Sequence, residues 1–198
     1  MRGCCGHAAR YNLVVERRDR ITLVVLCAFA LIAVTLELYF LSFHRELVAR
    51  APTQLFARLF EIYGVADRGY YDRVSPLALA LEGINVFVMQ PLSLVVVHAI
   101  VRRRAYRWPL QLAVCSYLSV SVLLYYCVAA ISGFADMAER SGKAFALLYG
   151  GNAPWLVGYG WLALDAARVI ARRFASAPEP RTTQPRVTFS SAAKSWES

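Results

Sequence analysis

The sequence predicts an all-α polytopic membrane protein with four transmembrane helices. Three observations carry this. Hydrophobic residues make up 58% of the 198 positions and charged residues only 18%, against roughly 45–50% and about 25% in soluble domains. Four apolar runs approach or exceed the ~20 residues that cross a hydrocarbon core about 30 Å thick. The basic residues, 22 against 13 acidic ones, concentrate in alternate connections, which is the positive-inside bias. That distribution accounts for the net charge of +9 without nucleic acid as a partner. The five cysteines form no CxxC pair and His7, His44 and His98 are scattered, so neither a metal site nor a disulfide framework is indicated.

The elements follow in order. Residues 1–20 form a basic N-terminal segment with five arginines. Its adjacent Cys4 and Cys5 are read as reduced thiols, with palmitoylation as the alternative. The first span runs from Ile21 to Phe43 with one charge, Glu37. It is too long for a signal-peptide core and has no small-residue cleavage motif before His44, so it is read as retained. In the nearly neutral 44–75 connection, Gln54–Tyr63 is expected to form a short interfacial helix ended by Gly64. The second span, Pro76–Val101, has one charge, Glu82. Gly83 there permits close helix approach or a local distortion, and Pro91 should kink the helix. The 102–108 loop carries Arg102, Arg103, Arg104 and Arg107 without an acid, and the third span, Pro109–Gly133, carries no charge. The fourth is expected from about Asn152, or a turn earlier, to Ile170, with Asn152 as its cap and Pro154 in its first turn or, if deeper, as another kink. The transmembrane domain is thus 21–173, and residues 174–198, rich in Ser, Ala, Pro and Thr, form a flexible tail. The arginines place both termini and the 102–108 loop in the cytosol. Tyr63, Tyr70, Tyr71, Tyr149, Trp155 and Tyr159 are expected in a lumenal aromatic belt, with Trp108 at the opposite interface.

An ionisable group inside a membrane helix is costly and usually faces a bundle interior or cavity. Glu37 lies ~24 Å along its helix from the cytosolic start, and Glu82 ~9 Å from the lumenal start of its own. Both acids therefore occupy one lumenal-side layer, which Asn152 and Trp155 enter from the fourth span; the alternative is that both are shallow, near the interface, and satisfied by water or hydroxyls. Two carboxyls in one apolar cavity can exist with one protonated beside one ionised. Such a pair suits proton donation to, and removal from, a hydrophobic substrate, without metal or organic cofactor. A cation formed on that substrate would be stabilised by a carboxylate and the face of Trp155. Thr35, Asn85, Gln90, Ser119 and Ser121 are read first as hydrogen-bond links between helices.

The segment Leu81-Glu82-Gly83 through Gln90-Pro91-Leu92-Ser93-Leu94, followed by Leu110-Gln111-Leu112 and Leu124-Tyr125-Tyr126, resembles the emopamil-binding protein family, the EXPERA superfamily. The nearest likeness is to its sterol Δ8–Δ7 isomerase and emopamil-binding-like branch. Leu36-Glu37-Leu38-Tyr39-Phe40 resembles the family's acidic motif. Tyr63-Gly64-Val65-Ala66-Asp67 with Tyr70 resembles its Glu-Tyr-x-Lys-x-Asp-x-Arg-Tyr loop, and Asn152-Ala153-Pro154-Trp155 its Asn-x-x-Trp motif. The likeness covers roughly residues 25–170. It implies an EXPERA-type bundle in the endoplasmic reticulum, with a cavity for a sterol or other hydrophobic ring substrate entering from the bilayer. Glu82, Glu37, Asn152 and Trp155 become the catalytic candidates, and Tyr70, Asp67, Tyr39, Asn85 and Tyr125 the substrate-binding ones. No cofactor is implied, and so small a bundle is compatible with a homodimer.

The chain also departs from the pattern. Ala33 stands where the isomerases carry a histidine, Val65 replaces the loop lysine, Gly69 the loop arginine (with Arg68 beside it), and Val122 the third-span aspartate. The isomerases have a further N-terminal span, so four are expected here rather than five. Two readings follow: a sterol or terpenoid double-bond isomerase, and a non-catalytic sterol- or lipid-binding membrane protein. A transporter or channel would need more polar lining than the third span supplies.

Overall fold

The computed structural model describes residues 17–49 and 56–176. Cys4, Cys5, the start of the 54–63 segment and most of the 174–198 tail lie outside the described residues. The described chain is all α, and the protein is a polytopic membrane protein. Its helices are α1 (Arg17–Val48), α2 (Ala57–Tyr63), α3 (Pro76–Val101), α4 (Arg107–Ile131) and α5 (Gly142–Ala175). A 3-10 turn, Arg68–Tyr70, lies between α2 and α3. Among the described residues, α1, α3 and α4 are long and apolar enough to cross a membrane. Their outer faces are apolar: Val24 is 67% exposed, Phe87 65% and Val120 58%. Such faces suit lipid, which solvates them as well as a protein core does.

Because lipid gives apolar helices no hydrophobic reason to associate, close packing and interhelical hydrogen bonds must hold them together. The antiparallel α4–α5 pair shows both, and is the most extensive helix pair in the bundle. Gln111 Nε2 donates to the Leu162 carbonyl at 3.0 Å, Ser119 Oγ to Leu156 at 3.3 Å, and the Tyr126 hydroxyl to Tyr149 at 2.8 Å. Gly158 lets Phe29 of α1 approach α5, since a Cβ there would meet its ring at 2.9 Å. Leu26, Phe29, Val96, Val114, Leu118, Tyr159 and Leu162 form the shared core of the four long helices.

Several local expectations are corrected. The helix bearing Asn152 starts at Gly142, where Ser141 Oγ caps the Ala144 amide at 3.2 Å. Asn152 is therefore mid-helix rather than a cap, and Pro154 is interior. Pro91, where a kink was expected, lies within α3, and just before it the helix widens into a π-turn at Asn85–Met89, closed by the Gln90 amide on the Asn85 carbonyl, immediately before the residue that lacks an amide hydrogen. Gly83 is no close-approach point, since a Cβ there would meet nothing within 4 Å. The interfacial helix is the single short α2, ended at Gly64, with Ala57 and Phe60 buried. A second π-turn, Ala33–Glu37, interrupts α1, closed by the Leu38 amide on the Ala33 carbonyl. The two π-turns touch.

The connections at the α3-start end clasp each other. The Arg68 amide donates to Asp136 at 2.8 Å and the Ala138 amide to Val65 at 3.2 Å, binding the 64–75 and 132–141 segments into one cap over the bundle. Ser75 Oγ then caps α3 through the Ala78 amide, with Pro76 in the first turn.

Candidate functional site

Under that cap lies a cavity of about 300 Å³. The π-turns build its polar wall. A π-turn inserts one residue into the helical register and so re-aims the side chains that follow. Glu37 closes the first and Asn85 opens the second, and the Asn85 amide donates to the Glu37 carboxylate across the α1–α3 contact. Asn85 is itself oriented by Gln90, whose Nε2 reaches Asn85 Oδ1 at 2.9 Å and the Tyr159 hydroxyl at 3.2 Å. Trp155 is a second hydrogen-bonding neighbour of Glu37. Its indole stacks on Phe29 at 5.1 Å, so one face is covered.

Glu82, one turn before Asn85 on α3, opens on the same cavity. The Tyr70 hydroxyl donates to its Oε1 at 2.6 Å, leaving Oε2 for a proton or a substrate. Burial pushes the Tyr70 phenol well above its ordinary range and the Tyr63 phenol upward as well, so both remain O–H donors at neutral pH. Asn152 donates to the Tyr63 hydroxyl at 2.7 Å and, back along α5, to the Leu148 carbonyl at 2.8 Å. Tyr63 and Tyr125 meet through their hydroxyls at 3.4 Å, and Tyr125 donates to Asp67. Asp67 also accepts from the Gly69 amide at 2.7 Å. Burial pushes its carboxyl up, against the pull of those two donors.

Glu37, Glu82, Asn85, Asn152, Trp155, Tyr70 and Tyr125 thus share one cavity wall. Asp67 stands behind it, bracing Tyr125. Tyr39 is a correction: two residues past Glu37, it faces away and packs on Phe43, Phe56 and Phe60. The belt reading is corrected too, because Tyr63, Tyr70 and Trp155 line the cavity and Tyr159 is fully buried. Tyr63, Gln90 and Tyr159 are site-supporting residues that sequence reasoning assigned elsewhere. The one signal for Gln90 was a polar residue deep in an apolar span beside a proline.

The departures also acquire positions. Val122 lines the cavity and Ala33 is buried in the first π-turn. A side chain at Gly69 would meet Ser75 Cβ at 2.6 Å. Arg68 pairs with both oxygens of Asp72, at 2.8 and 2.9 Å, and does not line the cavity.

Residues 55–166, more than half of the chain, match the EBP family, described as EXPERA (EXPanded EBP superfamily). The chain belongs to the EXPERA family. The match contains Glu82, Asn85, Asn152 and Trp155, while Glu37 lies before it. Among curated EXPERA-branch relatives, an isomeliandiol synthase of Ailanthus altissima is 31% identical over 139 residues, 70% of this chain and 65% of its own. A protoglabretal synthase of the same plant is 30% identical over 152 residues, 76% of this chain and 67% of its own. A probable 3-beta-hydroxysteroid-Delta(8),Delta(7)-isomerase of Arabidopsis thaliana is 28% identical over 124 residues, 63% of this chain and 54% of its own. The chain spans about half to two thirds of the length of these relatives. Its homologues therefore lie in the branch of sterol- and terpenoid-modifying EXPERA enzymes.

Proposed function

We propose that this EXPERA protein shifts a ring double bond of a sterol or related terpenoid, in the manner of a Δ8–Δ7 isomerase. The observation that carries the reading is that Glu37 and Glu82 open on one cavity and are met there by neutral donors, Asn85 and Tyr70. A carboxyl held by neutral donors exists in either protonation state, which general acid–base work requires. Glu82 gives its proton to one carbon of the C=C, leaving a cation on the other. Loss of a proton from the neighbouring carbon to a carboxylate re-forms the double bond one position along. One proton enters and one leaves, with no change in oxidation state. Glu37 balances the cation beside Trp155 or completes the proton relay, while Asn152 and Tyr63, hydrogen-bonded to each other, shape the cavity lining. The relatives, an isomeliandiol synthase, a protoglabretal synthase and a probable 3-beta-hydroxysteroid-Delta(8),Delta(7)-isomerase among them, support this substrate class.

The finer architecture belongs to the same proposal. α5 is the fourth span of a 21–173 transmembrane domain, flanked by a basic 1–20 segment and a 174–198 tail. Both ends face the cytosol of an endoplasmic-reticulum membrane, and the bundle pairs as a homodimer. Labelling of single cysteines placed at Ser141 and Arg103 should report opposite sides; labelling of both from the cytosol defeats this topology. A second reading, non-catalytic sterol or lipid binding, is favoured by Val122 in the cavity wall and Ala33 in the π-turn, where the isomerases carry polar groups. Mass-spectrometric and NMR product analysis of membranes given Δ8-, Δ7- and Δ5-sterols or tetracyclic triterpenoids separates the two. Bond-shifted product supports isomerisation, whereas saturable binding without product establishes the second reading.

A further inference from the structure

At the opposite end of the bundle, the start of α1, the α3–α4 turn and the end of α5 enclose a second cavity, of about 410 Å³. Its wall carries five arginines, Arg18, Arg103, Arg104, Arg107 and Arg173, and one acid, Asp19. The chain goes out of its way to gather these charges. Arg103 takes a left-handed backbone, φ 51°, rare for a residue with a side chain, and so turns the chain tightly out of α3. Arg107 is 5% exposed. Its Nη2 pairs with Asp19 Oδ1 at 2.7 Å, but its buried Nε has no hydrogen-bond partner. The guanidinium carbons of Arg107, Arg18 and Arg173 lie 3.8, 5.2 and 5.8 Å from the centre of one indole ring, Trp108.

Arg18 is held by Asp165 and Arg107 by Asp19, so the cost that remains is the unmatched buried Nε of Arg107 beside Arg104 and Arg173, and an anion joining them there offsets it. Arginine's planar fork suits phosphate oxygens above other anions. The remaining wall selects the source of that phosphate. Ile100, Val101 and Val169 are apolar, and half-exposed Val101 continues the apolar outer face of α3. Trp108 lies beside the arginines, as an indole does at headgroup level. Basic pockets between membrane helices bind anionic headgroups on this principle.

We propose that this arginine cavity is a binding site for the phosphate of an anionic phospholipid, whose first acyl segment lies along Ile100, Val101 and Val169. Nothing in this depends on the carboxylate cavity, and its test does not read turnover. The full-length protein in detergent is titrated with phosphatidic acid, with diacylglycerol of the same chains, and with inorganic phosphate. Binding is followed by native mass spectrometry and thermal shift. Phosphatidic acid should bind about 25-fold or more tightly than diacylglycerol, since each of two or more arginines near the headgroup contributes about a 5-fold gain. The double variant Arg104→Gln/Arg173→Gln changes two exposed side chains and should weaken phosphatidic acid binding by about 25-fold on the same scale. Arg104→Lys/Arg173→Lys should recover most of that loss, and Arg140→Gln, at the other end of the bundle, should leave binding unchanged. Equal binding of phosphatidic acid and diacylglycerol overturns the proposal, as does a Gln double variant that folds and binds like wild type. Inorganic phosphate binding as tightly as phosphatidic acid overturns the lipid assignment.

Discussion

At the arginine end of the bundle Asp165 accepts from the Arg18 guanidinium, Nε to Oδ2 at 2.8 Å, and Asp19 is held by Arg107. At the cavity end, Glu37 and Glu82 are also set among helices, yet their donors are neutral: an amide and an indole for Glu37 and a phenol for Glu82. The two ends teach how one residue class is put to different uses. A guanidinium stays charged at any accessible pH, so it fixes its acid as the anion and offsets the desolvation of both. An amide or phenol stabilises the anion less and tolerates the neutral acid, so protonation remains open to a substrate. The acids proposed to work and the acids that hold helices together differ in their partners rather than in their depth.

The sharpest way to break this comparison is to remove the titratable group where it is proposed to work. Glu82→Gln and Glu37→Gln keep size and hydrogen-bonding capacity, so turnover in reconstituted membranes should fall by ~10²-fold or more with the fold intact. Turnover that survives Glu82→Gln assigns the proton route elsewhere. Next in size is Tyr70→Phe, which deletes the donor to Glu82 and leaves the cavity shape. Loss of a hydrogen bond to a charged group, ~1.5–3 kcal/mol, corresponds to about 10-fold or more in rate, with a displaced pH–rate profile; unchanged turnover would make that contact incidental. The structural end should respond in the opposite manner. Asp165→Asn should cost about 2 kcal/mol of stability in denaturant titration while turnover stays within about 2-fold, because no proton passes there. Trp155→Phe, which keeps a ring face against Phe29, should reduce turnover only a few-fold.

The smallest effect concerns Asp67, which braces Tyr125 from outside the spans. Its folded carboxyl titrates above its ordinary value of 3.8, chiefly through burial. A raised acid binds more protons folded than unfolded, so its contribution to stability is fully present below the unfolded value. That contribution is lost as pH rises through the folded one. Asp67→Asn should therefore flatten the fall in Tm on going from pH 4 toward neutrality. A slope identical to wild type would show that other groups set it.

Hydropathy and charge are properties of residue type, and the membrane reads them locally, since every spanning backbone must satisfy its own hydrogen bonds. That is why the sequence by itself determined the helical class, the α1, α3 and α4 segments, and the common layer of Glu37 and Glu82. It also contained the short strings on which the family resemblance rests. Direction and partnership were another matter. Lipid is as apolar as leucine, so composition cannot say which face of a span meets protein. Tyr39 turned away from the cavity beside Glu37, while Tyr63 and Tyr159 turned inward from the belt expected of them. Asn152 with Pro154 read as a helix start, but α5 runs through both from Gly142, packed along α4. The π-turns had no local signature beyond Pro91, and they touch each other across the α1–α3 contact. Each of these was decided by the tertiary structure, where the side chains of α1, α3 and α5 compete for the same few ångströms of interior.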